Sequence, residues 1–140
     1  MAVATHLADK SALARLTHEP VARRLGPMIE AGLVGTCGII ELEVRYSARS
    51  HPEYETISHD RTLGYEWFPM PDDIWDRALE VQRALSGRAA LRAVKFPDLL
   101  IAATAERHDL TVVHYDRDYD LIATITNQPT EWVVPPGSLP

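Results

Sequence analysis

Apolar positions follow two spacings along the chain, and each spacing predicts a different element. Short apolar or β-branched runs predict strands at 2–8, 33–37, 110–115 and 132–134. Apolar residues three or four positions apart predict helices over 11–16, 20–32, 39–48, 52–67, 72–85, 97–105 and a short one at 121–123. Alternating strands and helices predict an α/β fold with a mostly parallel sheet flanked by helices.

The clearest helix spans 72–85. An Asp pair after a proline marks its start, and Gly87 marks its end. Its apolar stripe consists of Ile74, Ala78, Val81 and Leu85. The polar segment 52–67, with scattered aromatics, is predicted to be helical, and its pattern indicates no role.

The size and composition are those of one soluble domain covering residues 1–140. Hydrophobic residues make up 46% and charged residues 24% of the 140 residues, which argues against disorder. We find neither a long apolar membrane segment nor a signal-peptide pattern, so we expect a cytoplasmic protein that does not engage a membrane. Cys37, the single cysteine, is expected to be a small buried side chain.

The formal net charge of −6 argues against simple phosphate binding, which normally leaves a basic surface. The charge is compatible with a nucleic-acid enzyme if several acids are gathered in one site and divalent cations offset them. Which of the acidic residues could form such a site is decided by their positions relative to the predicted strands and helices.

Four acids occupy positions where a parallel sheet forms its sites. Asp9 follows the first predicted strand and Asp116 follows the strand at 110–115, so both are expected at the same sheet edge. Asp98 and Glu41 stand in the first turns of helices that leave that edge. An acid in a first turn can simply cap the helix, which is the alternative for each residue taken alone. Taken together, the four predict a carboxylate cluster.

Such a cluster requires a cation. Two carboxylates about 4 Å apart repel by about 4 kcal/mol at an effective dielectric of about 20. Oxygen ligands suit Mg²⁺ or Mn²⁺, and the six histidines show no zinc-type spacing. A cation held in this way can activate water against a phosphodiester, so the pattern favours a metal-dependent phosphodiesterase.

Four segments carry a resemblance to a known family. They are 7–13 (Leu-Ala-Asp-Lys-Ser-Ala-Leu), 39–42 (Ile-Ile-Glu-Leu), 96–103 (Phe-Pro-Asp-Leu-Leu-Ile-Ala-Ala) and 114–120 (His-Tyr-Asp-Arg-Asp-Tyr-Asp). In order and spacing they resemble the PIN domain, and in detail the VapC-type toxins of bacterial toxin–antitoxin pairs. The resemblance covers nearly the whole chain and implies a single Rossmann-like PIN domain.

The resemblance also implies roles for individual residues. Asp9, Glu41, Asp98 and Asp116 would be the catalytic acids that hold Mg²⁺ or Mn²⁺. The variable fifth acid would be Asp118, with Asp120 as the weaker choice. The implied activity is endonucleolytic cleavage of RNA by metal-activated water. Ser11 would support the first acid, unless it is only a helix N-cap.

The implied partners are an RNA substrate, a second copy of the chain and a cognate antitoxin that inserts a side chain, often Arg, into the acidic site. Candidate RNA-backbone contacts near the acidic edge are Arg45, Arg49, Arg88, Arg92, Lys95 and Arg117. The alternative for each of these is an ordinary solvated charge.

Two other functions are compatible with the same fold. One is a partner-binding module with little or no nuclease activity. The other is a phosphatase with an aspartyl nucleophile, which usually has a second acid two residues after the first; here Ser11 occupies that position. The sequence identifies neither the RNA nor the antitoxin.

Overall fold

A computed structural model describes residues 3–140 and contains a five-stranded, wholly parallel sheet. The strands are β1 (His6–Ala8), β2 (Val34–Thr36), β3 (Glu66–Trp67), β4 (Thr111–His114) and β5 (Thr130–Trp132). The helices are α1 (Lys10–Leu13), α2 (Glu19–Glu30), α3 (Gly38–Arg45), α4 (His51–Gly64), α5 (Asp73–Gly87), α6 (Phe96–Arg107) and α7 (Asp118–Thr126). The expected α/β class is confirmed.

The sheet order is β3-β2-β1-β4-β5, with β1 at the centre. In the register, Leu7 lies beside Gly35 of β2 and Val112 of β4. Because every pairing is parallel, the strands end at one edge of the sheet, and the chain enters a helix or a turn there. This edge positions the acids.

Helices cover both faces of the sheet, so the three central strands β2, β1 and β4 are largely buried on both sides, while the edge strands β3 and β5 are only partly buried. Leu7 and Val112 belong to the larger core, which packs against α3, α5, α6 and α7. Ala8 and Val113, one residue further along each strand, belong to a smaller core beneath α1 and α2. This alternation follows from the two-residue period of a strand.

The helix α6 lies in the interior of the larger core. Pro97 occupies its first turn, and every residue from Asp98 to Ala105 is buried. Phe96 at the start of the helix is exposed, but Asp98, two residues later, is already inside the packed part. The carboxyl group of Asp98 is therefore held in a place where an unpaired charge is costly.

Some predicted boundaries were wrong. The segment 52–67 is helical only to Gly64, and its last two residues form the edge strand β3. The final strand lies at Thr130–Trp132 instead of 132–134, and the short helix at 121–123 is the nine-residue α7. The predicted first strand began at Ala2, which lies outside the described residues.

Within residues 3–140, the longest and most apolar helices still fall short of what a bilayer crossing requires.

Candidate metal centre

Three aspartates meet at the carboxyl edge of the sheet. Oxygen atoms of Asp98, Asp116 and Asp118 all lie within 4.8 Å of one another. Asp98 comes from the first turn of α6, Asp116 from the turn after β4, and Asp118 from the start of α7. The amide N–H of Asp118 donates to Oδ1 of Asp116 (2.9 Å), which fixes the turn that carries both acids.

Asp9 joins this group through a tyrosine. The Tyr119 hydroxyl lies 2.8 Å from Oδ1 of Asp9 and 3.2 Å from Oδ1 of Asp98. Tyr119 is fully buried, so its hydroxyl is available only to these carboxylates. One hydroxyl therefore links the acid after β1 to the acid in α6.

Ser11 supports Asp9 from the other side. Its amide N–H (3.0 Å) and its hydroxyl both donate to Oδ2 of Asp9, and the amide N–H of Tyr115 donates to the same hydroxyl (2.9 Å). The N-cap of α1 is Asp9, so Ser11 is not the cap. The two strand-end segments are thus joined through Ser11.

Lys95 lies within the group of aspartates. Its ammonium is 2.9 Å from Oδ2 of Asp116, 2.8 Å from Oδ2 of Asp118 and 3.4 Å from Oδ2 of Asp98. Burial opposes its charge, but hydrogen bonds to Asp118 and Asp116 outweigh burial and raise the pKa of Lys95. An ammonium with three aspartates around it shows that the site attracts cations.

The pKa values of Asp98 and Asp118 are shifted in opposite directions. Burial, followed by the hydrogen bond with Asp118 and the charge of Asp9, raises the pKa of Asp98 to about 8. Burial would also raise the pKa of Asp118, but its hydrogen bonds with Asp98 and Lys95 lower it. Of the two carboxyls, Asp98 therefore holds a proton more firmly, while the negative charge is favoured on Asp118 beside Lys95.

The structure does not bring Glu41 into this group. Its carboxylate bonds to Arg61 (2.6 Å), Arg45 (3.1 Å) and the hydroxyl of Thr36. Burial alone would raise the pKa of Glu41, but these three partners lower it. The expectation that Glu41 joins the other acids is therefore corrected, because its partners hold it on another side of α3. The acids that do come together are Asp98, Asp116 and Asp118, with Asp9 joined to them.

Glu43, two residues further along α3, is the acid that the sequence analysis missed. Its pKa is raised by burial and then by the negative charge of Asp9, with Asp116 contributing, so the charges of these acids reach it. Its Oε1 atom is buried and has no hydrogen-bond partner in the described chain. The helical period could have separated the two glutamates in the sequence. Residues two positions apart are about 200° apart around the helix axis, so Glu41 and Glu43 point in different directions.

The remaining candidates lie at the periphery. Asp120 is exposed, accepts a hydrogen bond from the indole of Trp132 at 3.1 Å and is not one of the three clustered aspartates. Arg49 pairs with Glu53, Arg88 donates to Thr124, and Arg92 and Arg117 are exposed. His114 is buried and accepts a hydrogen bond from the amide N–H of Asp116, which is a structural role.

The donor set fits a divalent cation. Oε1 of Glu43 and Oδ2 of Asp98 are buried atoms without a hydrogen-bond partner among residues 3–140, and the nearest cation to Oδ2 of Asp98 is the Lys95 ammonium at 3.4 Å, so both oxygens have lone pairs that a metal ion could use. Every candidate ligand is a carboxylate oxygen, which suits Mg²⁺ or Mn²⁺ more than zinc or copper.

Comparison with known proteins decides the family. The model of the PIN domain matches residues 7–125 of the chain. The chain belongs to the PIN-domain family.

Curated PIN-domain relatives from Mycobacterium tuberculosis match almost end to end. Ribonuclease VapC21 is 47% identical over 133 residues, which cover 95% of this chain and 96% of the relative. Ribonuclease VapC51 is 42% identical over 134 residues, with 96% of each protein covered.

Solved structures share the PIN fold at low identity. DNA-bound VapBC from Salmonella typhimurium has a TM-score of 0.74 at 14% identity, covering 94% of this chain and 99% of that one. VapBC2 from Rickettsia felis, bound to a promoter DNA fragment, has a TM-score of 0.72 at 14% identity, covering 91% and 98%. The architecture of this PIN domain is therefore the one seen in those proteins.

Proposed function

We propose that the chain is a metal-dependent endoribonuclease, the VapC-type toxin of a type II toxin–antitoxin pair. The observation that carries the proposal is the buried carboxylate group of Asp98, Asp116 and Asp118, joined to Asp9 at the carboxyl edge of a PIN sheet. The ribonuclease names of relatives 42–47% identical over nearly the whole chain support it.

Asp9, Glu43, Asp98, Asp116 and Asp118 would hold Mg²⁺ or Mn²⁺. When bound, the ion supplies a water of lowered pKa and neutralises charge that develops on the phosphodiester. Ser11 and Tyr119 fix the orientation of Asp9, so that its carboxylate does not have to be ordered during the reaction. Lys95, whose side chain is more than half exposed, places a positive charge where a phosphate would approach.

An antitoxin and a second copy of the chain are the proposed protein partners. The acidic group would attract an inserted cationic side chain, such as Arg, from the antitoxin. For the homodimer, exposed Trp75, Leu79 and Phe96 surround a cavity of about 170 Å³ between α5 and α6. Large exposed apolar side chains grouped in this way mark a protein interface. We place the protein in the cytoplasm, where RNA and antitoxin meet it.

The test is cleavage of end-labelled cellular RNA by purified, antitoxin-free protein with Mg²⁺ or Mn²⁺ and with EDTA. Asp98→Asn and Glu43→Gln are expected to lower the cleavage rate by about 100-fold or more, as loss of an electrostatic group in an active site does. Asp120→Asn is the matched control and is expected to cut like the wild type. No cleavage of any RNA by the metal-loaded wild type would instead favour the partner-binding module.

The choice between the two glutamates has a separate test that does not depend on activity. Calorimetric titration with Mn²⁺ is expected to show weaker binding for Glu43→Gln and wild-type affinity for Glu41→Gln. The reverse result would return Glu41 to the metal centre.

A further inference from the structure

A second polar cluster lies between α3, α4 and β3. It surrounds a cavity of about 160 Å³. The side chains that line this cavity include Glu41, Arg45, Arg61, Thr62, Tyr65 and Trp67. The carboxylate centre uses none of these side chains.

The cavity is positive in a chain that is negative overall. Arg61 and Arg45 share the single carboxylate of Glu41, which leaves one positive charge uncompensated. Arg61 is also held in place from two sides. It is buried, it donates to Thr36 at 3.2 Å, and its guanidinium stacks 3.8 Å from the centre of the Tyr65 ring. A fixed guanidinium suits phosphate recognition because little side-chain freedom is lost on binding.

Trp67 gives the cavity an aromatic wall. It is the last residue of the edge strand β3, and 59% of it is exposed. Its ring lies close to Gly38, where a Cβ would come within 3.8 Å of the indole. Unpaired nucleotides bind to such a combination: the base stacks on the exposed indole, and the phosphate pairs with a guanidinium group beside it.

The position of the cavity connects it to the carboxylate centre. Thr36 ends β2 and Trp67 ends β3, so the cavity lies at the same sheet edge as Asp9 and Asp116. On α3, Glu41 faces the cavity and Glu43 faces the carboxylates. One helix, roughly 10 Å across, therefore separates the two sites.

We propose that this cavity binds one unpaired nucleotide of the RNA substrate, with its base stacked on Trp67 and its phosphate at Arg45 and Arg61. The proposal rests on the proposed ribonuclease function, since it places a neighbouring nucleotide of the strand that is cut. It predicts a preference for single-stranded RNA, because a paired base cannot stack on the indole.

The test measures, by fluorescence anisotropy, the binding of a fluorescein-labelled 12-nucleotide single-stranded RNA. EDTA is present, so the RNA is not cleaved during the measurement. Trp67→Leu is expected to weaken binding by about 5- to 100-fold, the usual effect of losing one stacked base. It should also abolish part of the tryptophan quenching that RNA causes. Tyr46→Leu is the matched control, because Tyr46, the C-cap residue of α3, is an exposed aromatic that does not line the cavity.

Kinetics with Mg²⁺ distinguish this proposal from the ribonuclease proposal. In a protein that cuts RNA, Trp67→Leu should raise KM and leave kcat nearly unchanged. Equal affinity of the two variants, or equal competition by duplex RNA, would overturn the nucleotide site and leave the ribonuclease standing. RNA binding that depends on Trp67 in a wild type that cuts nothing would support the cavity and reject the ribonuclease.

Discussion

At the scale of single residues, the buried Tyr119 hydroxyl lies between two carboxylates, those of Asp9 and Asp98. Burial, and then the charges of Asp9 and Asp98, raise its pKa well above the ordinary value, so it keeps its proton. It can give that proton to only one of the two carboxylates at a time. It therefore holds the two acids close together while relieving part of their repulsion.

Tyr119→Phe keeps the ring, which packs 4.8 Å from His114, and removes only the hydroxyl. We expect the metal-free protein to lose about 1–3 kcal/mol of unfolding free energy, since a buried polar partner is left unsatisfied. We also expect Mn²⁺ affinity to fall by about tenfold because the supporting contact is lost. Urea unfolding and calorimetry measure the two effects. Tyr115→Phe is the control: its hydroxyl accepts from the amide of Leu139, and unchanged Mn²⁺ affinity is expected.

The buried pair of Glu41 and Arg61 predicts a pH-dependent stability. Because the folded-state pKa of Glu41 is lowered, its contribution is present above its ordinary pKa, near 4.5, and is lost as the pH falls through the folded value. Glu41→Gln should therefore cost about 3 kcal/mol at pH 7 and progressively less below pH 4.5.

Denaturant unfolding at a series of pH values measures this difference. Glu53→Gln removes the partner of Arg49 in an exposed pair and should change stability by less than about 1 kcal/mol at any pH. A cost for Glu41→Gln that does not vary with pH would contradict the ionised pair.

The residues of the candidate site were partly predictable. The rule that acids follow parallel strands located Asp9 and Asp116, and the first turn of a helix located Asp98. The same rule could not separate Glu41 from Glu43, because both lie near the start of α3 and only packing decides which side faces the edge. Arg61, which holds Glu41, lies 20 residues away, and no local pattern indicates it.

At the scale of elements, the close approach of β2 to the segment after β3 depends on a glycine. A Cβ on Gly35 would lie 2.6 Å from Cδ1 of Phe68 and 3.2 Å from the carbonyl oxygen of Glu66. Phe68 is a buried core residue, so its ring has little room to move.

Gly35→Ala is expected to destabilise the fold by about 1–3 kcal/mol, the usual cost of overpacking. Gly26→Ala on α2 is the matched control, because its Cβ would meet no atom within 4 Å. That change should add about 0.5–1 kcal/mol, since alanine is the better helix former. Urea midpoints that shift in the same direction for both variants would refute the steric argument.

Elements with a clear apolar pattern were more predictable than elements without one. The apolar stripe of the helix at 72–85 and the β-branched run of the strand at 110–115 reveal their type, and both are confirmed. The strand β3 has two residues, too few for an alternation to show, and its pairing with β2 is set by tertiary packing. The same applies to β5, whose pairing with β4 begins two residues before the apolar run.

At the scale of the whole molecule, the apolar surface of α5 and α6 predicts the oligomeric state. Leu79→Glu places a charge among Trp75, Phe96 and Leu79 of the facing copy, so the proposed dimer should become a monomer. Leu63→Glu on α4 is the control, because Leu63 is even more exposed than Leu79 and lies outside that surface. Light scattering coupled to gel filtration gives the mass; a monomeric wild type would reject the interface.

The central position of β1 also has a consequence for protein synthesis. Its neighbours are β2, close in sequence, and β4, about a hundred residues later. Asp116 and Asp118 follow β4, so a growing chain lacks two of the three clustered aspartates until synthesis has passed residue 118. Long-range pairing of this kind also delays folding until late. The carboxylate centre therefore cannot assemble before the strand pairing that closes the sheet around β1, so the order of synthesis makes it one of the later features of the fold to form.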